Sequence, residues 1–234
     1  MQYKNPYIEL CIEGASSILR GLSQHEKEHL DQHHQVISFR KGDTIVSQGS
    51  KPRGPICLAS GKVKVFSIGA GNREQIIKML RPLNFISYGP LFNDNVYLFS
   101  AVAIEDSAVV VFGKNSLSKI LKQNVELAFR FMRMISEDLL CSNNRMVSLT
   151  QKHVRGRIAE SILLLRETYG VEADGKSLRV MISREDLAHL SNMTTSNAIR
   201  TLSGLVSEKI LDIEGRKIII LNFDKLEAIS ESGQ

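Results

Sequence analysis

Between Val36 and Phe112 the chain alternates short apolar runs with turn residues. The runs are VISF, TIV, PICLAS, GKVKVFSI, EQIIKML, SAVAI and AVVVF, separated by Gly42, Gly49, Gly61, Gly69, Gly71 and Pro90. Frequent short strands with regular punctuation predict a sandwich or barrel. Ahead of them, SQHEKEHLDQHHQ reads as a polar helix opened by Ser23, with Glu26 three residues on. After Lys114 the period changes. No Pro or Gly occurs from Leu117 to Leu149, which predicts one long helix. Along it Ala128, Met132, Ile135, Leu139, Ser142, Met146 and Leu149 recur at alternating spacings of four and three. That is the period of a coiled-coil seam, so the helix is expected to pair with its own copy in a dimer. The competing reading lays the same helix on its own β-domain. Ser142, the polar seam position, fits either a register-fixing role or a ligand contact.

A break near Thr150–His153 leads into RGRIAESILLLRETYG, an amphipathic helix ending at Gly170. There follow a loop (VEADGKS), a strand-like LRVMI, two short helices, and ILDIEGRKIIIL, a hairpin turning at EGR. Ser183 with Asp186 marks the first short helix. Asn192 suits a left-handed turn, and Thr194 suits the N-cap of a second helix running to about Glu208. On that second helix Ala198, Leu202, Leu205 and Val206 share one face, with Thr195, Ser196, Ile199, Arg200 and Ser203 opposite. A tight helix pair followed by a β wing is a winged helix-turn-helix. The small hydrogen-bonding residues Thr194, Thr195, Ser196 and Asn197 crowd the turn that would enter a major groove, where bulk blocks approach and hydroxyls meet base edges or phosphates. Arg200 can fork onto guanine and Ile199 can rest on a thymine methyl, with Ser203 one turn further. The alternative is a polar helix on a small domain.

Composition narrows the picture. At 234 residues and 43% hydrophobic, the chain accommodates two domains with their own cores. No apolar run approaches the roughly 18 residues that cross a bilayer, and MQYKNPYIELCIEG lacks the pattern of a secretion signal. Cys11, Cys57 and Cys141 are few and odd in number, as expected of reduced, inert thiols in a cytoplasmic protein. The net charge of +5 lies wholly in the first part: residues 1–150 carry 18 Lys+Arg against 13 Asp+Glu, and residues 151–234 carry 12 of each. A DNA-binding argument therefore rests on local geometry and not on bulk charge. His25, His29 and His33 recur every four residues, but no Cys or carboxylate pattern completes a metal site, so they read as a solvated helix face. No catalytic constellation is apparent.

With these elements in order, the chain resembles the Crp/Fnr family of bacterial transcription regulators. KGDTIVSQGSKPRGPICLASGKVKVF resembles the opening of the family's cyclic-nucleotide-binding β-roll. RGRIAESILLLRE resembles the helix that opens its DNA-binding domain, and ISREDLAHLSNMTTSNAIRTLSGLVSEKILDIEGRKIIIL its helix-turn-helix and wing. The resemblance implies an α+β chain: N-terminal helices and a double-stranded β-helix (jelly-roll) sensor domain over 1–114, a dimerisation helix over 115–150, and a winged helix-turn-helix domain over 151–234. It further implies a non-enzymatic homodimer bound to a palindromic site on double-stranded DNA, touching RNA polymerase through VEADGKS.

The sensor pocket departs from the pattern. Cyclic-AMP-binding members carry a Gly-Glu pair for the ribose and an Arg-Ser pair for the phosphate; here Ser87 and Tyr88, then Phe99 and Ser100, stand in those places. Without the arginine, burying a phosphate is costly, which argues against cyclic AMP. An iron–sulfur cluster needs four cysteines, mostly N-terminal, where only Cys11 lies. Haem stays open, although no histidine falls between His34 and His153. What remains is an apolar, aromatic pocket built from Ser87, Tyr88, Phe92, Tyr97, Phe99 and Ser100, with Ser142 as a further candidate, for an unidentified small-molecule effector. In the recognition helix Ser196 replaces the glutamate with which many members read cytosine, so the half-site is expected to differ there. Two rivals are a ligand-binding interaction module that does not touch DNA, and a cupin-like metalloenzyme, for which the β-region lacks histidine.

Overall fold

The computed structural model describes residues 3–93 and 95–232. The chain forms two compact units, Met1–Ile68 with Ile77–Asp138, and Gly69–Ile76 with Leu139–Gln234.

The first unit opens with helices α1 (Pro6–Glu13) and α2 (Gln24–Gln32). Ser23 caps α2 in a reciprocal box: its hydroxyl accepts the Glu26 N–H at 3.4 Å, and its own N–H donates to Glu26 Oε2 at 2.7 Å. Eight strands follow: β1 (His34–Phe39), β2 (Thr44–Val46), β3 (Ile56–Ser60), β4 (Val63–Ile68), β5 (Glu74–Leu80), β6 (Phe85–Ser87), β7 (Ser100–Ala103) and β8 (Ser107–Phe112). They form two four-stranded sheets, ordered β1-β8-β3-β6 and β2-β7-β4-β5. The expected β-roll is present, and the one strand not expected from the sequence is β6, three residues long.

Strands β3 and β8 explain why PICLAS and AVVVF are unbroken apolar runs. Side chains alternate across a strand. Ile56, Leu58 and Val109 enter the core between the sheets, with Val65, Ala101 and Ile86. Cys57, Ala59, Val110 and Phe112 enter a second core against the helices, with Ile8, Leu30 and Leu117. Both faces are covered, so no polar alternation survives. Gly61 turns β3 into β4 at φ 88°, where a Cβ would fall 2.2 Å from Ser107 Oγ, so the turn admits only glycine.

The long helix expected from Leu117 to Leu149 is two helices. Helix α3 (Lys114–Gln123) ends at Asn124, and α4 runs Val125–Gln151. Asn124 leaves the helical region (φ −108°, ψ 92°), its N–H closes α3 on the Ile120 carbonyl, and its Oδ1 accepts the Leu127 N–H at 2.9 Å. Its amide also donates to Glu26 Oε1 at 2.9 Å. One asparagine therefore ends one helix and starts the next. In the first unit α4 packs through Leu127 and Phe131, with Met134 beside them.

In the second unit α5 (Val154–Tyr169) ends at Gly170 (φ 76°). Then come α6 (Arg184–Leu190), α7 (Thr195–Ser207), a hairpin of β9 (Leu211–Glu214) and β10 (Lys217–Ile220), and α8 (Phe223–Ser232), which the sequence pattern did not mark. LRVMI is not a strand. Leu178, Val180 and Ile182 are buried with Arg179 and Met181 exposed, as in an extended chain. Its N–H groups, however, scatter: Leu178 bonds to Ile218, Arg179 to Gly170 and Ile182 to Arg216, so no continuous ladder forms. Among the described residues, no helix is long and apolar enough to cross a membrane.

Candidate DNA interface and sensor pocket

The α6–α7 pair is fixed at both caps and at its turn. The Ser183 hydroxyl accepts the Asp186 N–H at 2.9 Å, and the Thr194 hydroxyl accepts the Asn197 N–H at 3.3 Å. Between the helices Asn192 sits at φ 49°, and its carbonyl accepts Arg157 Nη1 at 2.8 Å. The Arg145 guanidinium bonds the Leu190 carbonyl, and the buried Ser191 hydroxyl donates to Ser161 on α5 at 2.8 Å. At the far end Arg155 of α5 forks onto Glu208 at 2.7 and 2.6 Å. This fork holds the Glu208 carboxyl below its ordinary pKa. Six contacts thus fix the α6–α7 pair and leave the outer face of α7 free.

That outer face is free. Ala198, Leu202 and Leu205 are buried, with Val206 half-buried beside them. Ser196, Asn197, Arg200 and Ser203 are exposed, and Ile199 is 48% exposed. Arg200 has no ion pair or hydrogen bond to other described residues. Two of the seven expected contact residues have local work: Thr194 spends its hydroxyl on the cap, and Ser203 donates to the Ile199 carbonyl at 3.0 Å. Thr195 is half-buried, at the edge of the face and not in its middle.

Along α4 the seam positions are away from the core. Met132, Leu139 and Met146 are 52%, 60% and 61% exposed, Ser142 is exposed, and Ala128, Ile135 and Leu149 are half-buried. The helix does lie on its own β-domain, as the competing reading held, but through Leu127 and Phe131, a different face.

In the β-roll a cavity of about 270 Å³ is lined by Val65, Ile77, Ile86, Val96, Leu98 and Phe99, with Ser87, Tyr88, Tyr97 and Lys78 among its polar residues. Ser87, Tyr88, Tyr97 and Phe99 were expected there. Phe92, Ser100 and Ser142 do not line it. Phe92 points outward, 56% exposed; Ser100 is buried in β7 and takes the Gln48 N–H at 3.0 Å; Ser142 is exposed on α4. The residue that sequence reasoning missed is Lys78, a lone cation in the apolar run EQIIKML. Its ammonium pairs with Asp138 on α4, and the Tyr88 hydroxyl donates to the same carboxylate at 2.6 Å. Burial, reinforced by Asp138, pushes the Tyr88 phenol up, so it remains a donor. Tyr97 is 7% exposed, with the Ser87 side chain and the Arg53 backbone beside its hydroxyl, and burial pushes its phenol up.

No cluster of three or more His, Cys, Asp or Glu suited to a metal occurs among the described residues. His33 is the C-cap of α2, and its ring lies 4.6 Å from that of His29. Cys11 and Cys57 are buried and Cys141 is exposed, all three as free thiols.

A β-roll with a cavity, a long helix and a winged helix-turn-helix is the architecture of a transcriptional regulator. Residues 36–124 match the cyclic nucleotide-binding domain, and residues 156–229 match the Crp-like helix-turn-helix domain. The chain is 22% identical to a CRP-like cAMP-activated global transcriptional regulator of Mycobacterium tuberculosis, over 90% of this chain and 95% of that protein. It is 27% identical to an anaerobic regulatory protein of Bacillus subtilis, over 72% of each. Among solved structures, FixK2 from Bradyrhizobium japonicum superposes with a TM-score of 0.74 at 23% identity, covering 84% of this chain and 96% of that one. The chain belongs to the Crp/Fnr family and is a transcriptional regulator of that type; its relatives are regulators and not enzymes.

Proposed function

We propose that this chain works in the cytoplasm as a homodimer that reads a palindromic site on double-stranded DNA, under control of an effector held in the β-roll. The observation that carries the reading is the division of α7: its apolar side is spent on the core, and Ser196, Asn197, Ile199 and Arg200 face outward around an unpaired guanidinium. An unpaired arginine one turn past a cap, beside small polar residues, is what a major-groove helix presents. The exposed Met132, Leu139 and Met146 on α4 support pairing with a second copy. Two copies would set their recognition helices about 34 Å apart, one DNA turn.

Cyclic AMP is not the effector in this reading. Phe99 and Ser100 occupy the positions of the phosphate-binding pair, and the Lys78 cation is already engaged by Asp138. The signal passes from the β-roll along α4 to the break at Lys152 and His153, from which α5 starts. The exposed loop around Asp174 is the surface for RNA polymerase.

The test is selection of bound sequences from a random pool, then fluorescence anisotropy on the selected site and on scrambled DNA at several salt concentrations. Affinity for both should fall steeply with salt. Arg200→Ala should cost about 1–3 kcal/mol on the selected site and little on scrambled DNA. Full selectivity in that variant would show that another face of the helix meets the bases.

A further inference from the structure

We infer that Gln75 and Arg145 are positioning residues for DNA recognition: they grip the C-terminal end of α6 from outside the winged helix and set the orientation of the α6–α7 pair as a whole. The inference rests on the reading of α7 as the groove-facing helix and names what aims it.

The last carbonyls of a helix lack partners within it and carry the negative end of its dipole. In α6 the carbonyls of Leu187 and Ala188 are met by the N–H groups of Ser191 and Met193. Those of His189 and Leu190 come next, and each takes a side chain from a distant part of the chain. Gln75 Nε2 donates to the His189 carbonyl at 2.8 Å, and the Arg145 guanidinium donates to the Leu190 carbonyl. Gln75 Nε2 also donates to the Ile76 carbonyl at 3.1 Å, which fixes the plane of the amide. Beside it the Glu74 carboxylate lies 3.4 Å from His189 Nδ1. A guanidinium and an amide donor at a negative helix end are the complementary groups.

Both donors come from elements that precede the winged helix. Gln75 belongs to Gly69–Ile76, the tip that joins β4 to β5, and this tip is part of the second unit together with the helix-turn-helix. Arg145 is on α4, directly before the exposed seam residue Met146. The two contacts therefore reach α6 without passing through the break at Lys152 and His153. They meet the turn end of the pair and leave Ser196, Asn197 and Arg200 exposed, so the grip orients the recognition helix and does not cover it. Orientation matters most on a two-fold site, where both recognition helices must seat on bases at once; scrambled DNA accepts many poses.

The test uses the full chain, the operator obtained by selection, and anisotropy on operator and scrambled DNA. The quantity read is the ratio of the two affinities, in which a change of bulk charge largely cancels. Gln75→Ala and Gln75→Glu should each lower the ratio about 3- to 10-fold, the worth of one hydrogen bond, with Glu the worse because it sets an acceptor against a carbonyl. Gln75→Lys restores a donor and should restore the ratio. Arg145→Met should lower it similarly and Arg145→Lys should recover most of it. Hydrogen exchange in 184–193 should quicken in Gln75→Glu and return to the parent rate in Gln75→Lys, a rescue that loss of packing alone would not give. A ratio unchanged in Gln75→Glu overturns the inference and leaves DNA binding standing. A ratio that rises overturns it too, because the contact would then restrain binding. If selection yields no operator, the DNA reading falls and this inference with it.

Discussion

Asn192 offers the sharpest check on the helix-turn-helix geometry. It holds φ 49° between α6 and α7, where a side chain with a Cβ pays about 1–2 kcal/mol and asparagine pays less. Asn192→Ala should therefore cost about 1 kcal/mol, and Asn192→Val closer to 2, because a branched Cβ is worst in this region. Asn192→Gly removes the strain but adds about 0.4–1 kcal/mol of unfolded-state entropy, so it should be nearly neutral. For a unit of roughly a hundred residues each kcal/mol moves the melting point by about 4–8 °C. Differential scanning calorimetry reads the series, with the transition of the first unit as an internal reference. Anisotropy should show the same rank order on operator and scrambled DNA, with their ratio unchanged, because Asn192 precedes the groove-facing turn. A valine variant that melts with the parent, or a glycine variant that melts below alanine, would refute a left-handed turn at this position.

Three further outcomes are expected. Leu139→Glu places a charge on the exposed seam of α4 and should convert a dimer to a monomer by analytical ultracentrifugation, whereas Glu137→Ala should not. Asp174 accepts hydrogen bonds from the Ser177 hydroxyl and from the Lys176 and Ser177 N–H groups, which hold its carboxyl at about 2. The depressed folded value means that its contribution to loop order is complete above the unfolded carboxyl range, near 4, and is lost as pH falls toward 2. Carboxyl-carbon NMR titration should give that low midpoint, and Ser177→Ala should raise it. Finally, the Cys57 thiol is pushed up by its contact with Cys11 and by burial, so both buried thiols should resist iodoacetamide while exposed Cys141 reacts. Mass spectrometry after a timed pulse separates them, and early labelling of Cys57 would contradict the packing.

Much of the site was legible because local chemistry wrote it. Ser23, Ser183 and Thr194 are caps in the structure as their spacing predicts, since a cap needs only a side-chain oxygen and an N–H two or three residues on. The buried and exposed sides of α7 follow from helical period, with Thr195 the position that shifted to the edge. The cavity was legible in part. Of the residues the resemblance placed there, Ser87, Tyr88 and Phe99 line the cavity and Ser100 does not; of the two further aromatics, Tyr97 does and Phe92 does not, because one residue of register along a strand or turn reverses which side a residue faces. The break at Asn124 went unread because no Gly or Pro marks it; an asparagine that caps with its own side chain leaves a weaker signature.

The sequence alone determined the caps, the helix-turn-helix with its hairpin wing and the direction of its polar face, because each depends on residues within a turn or two of one another. Tertiary structure decided what depends on distant pairs. It set Lys78 and Tyr88 on one carboxylate of α4, sixty and fifty positions away along the chain. It also turned β3 and β8 into strands covered on both faces, and scattered the bonds of LRVMI so that an alternating run is no strand. The reason is physical: period and capping are read from neighbours, whereas a buried charge or a sheet edge finds its partner only when the chain has folded back on itself.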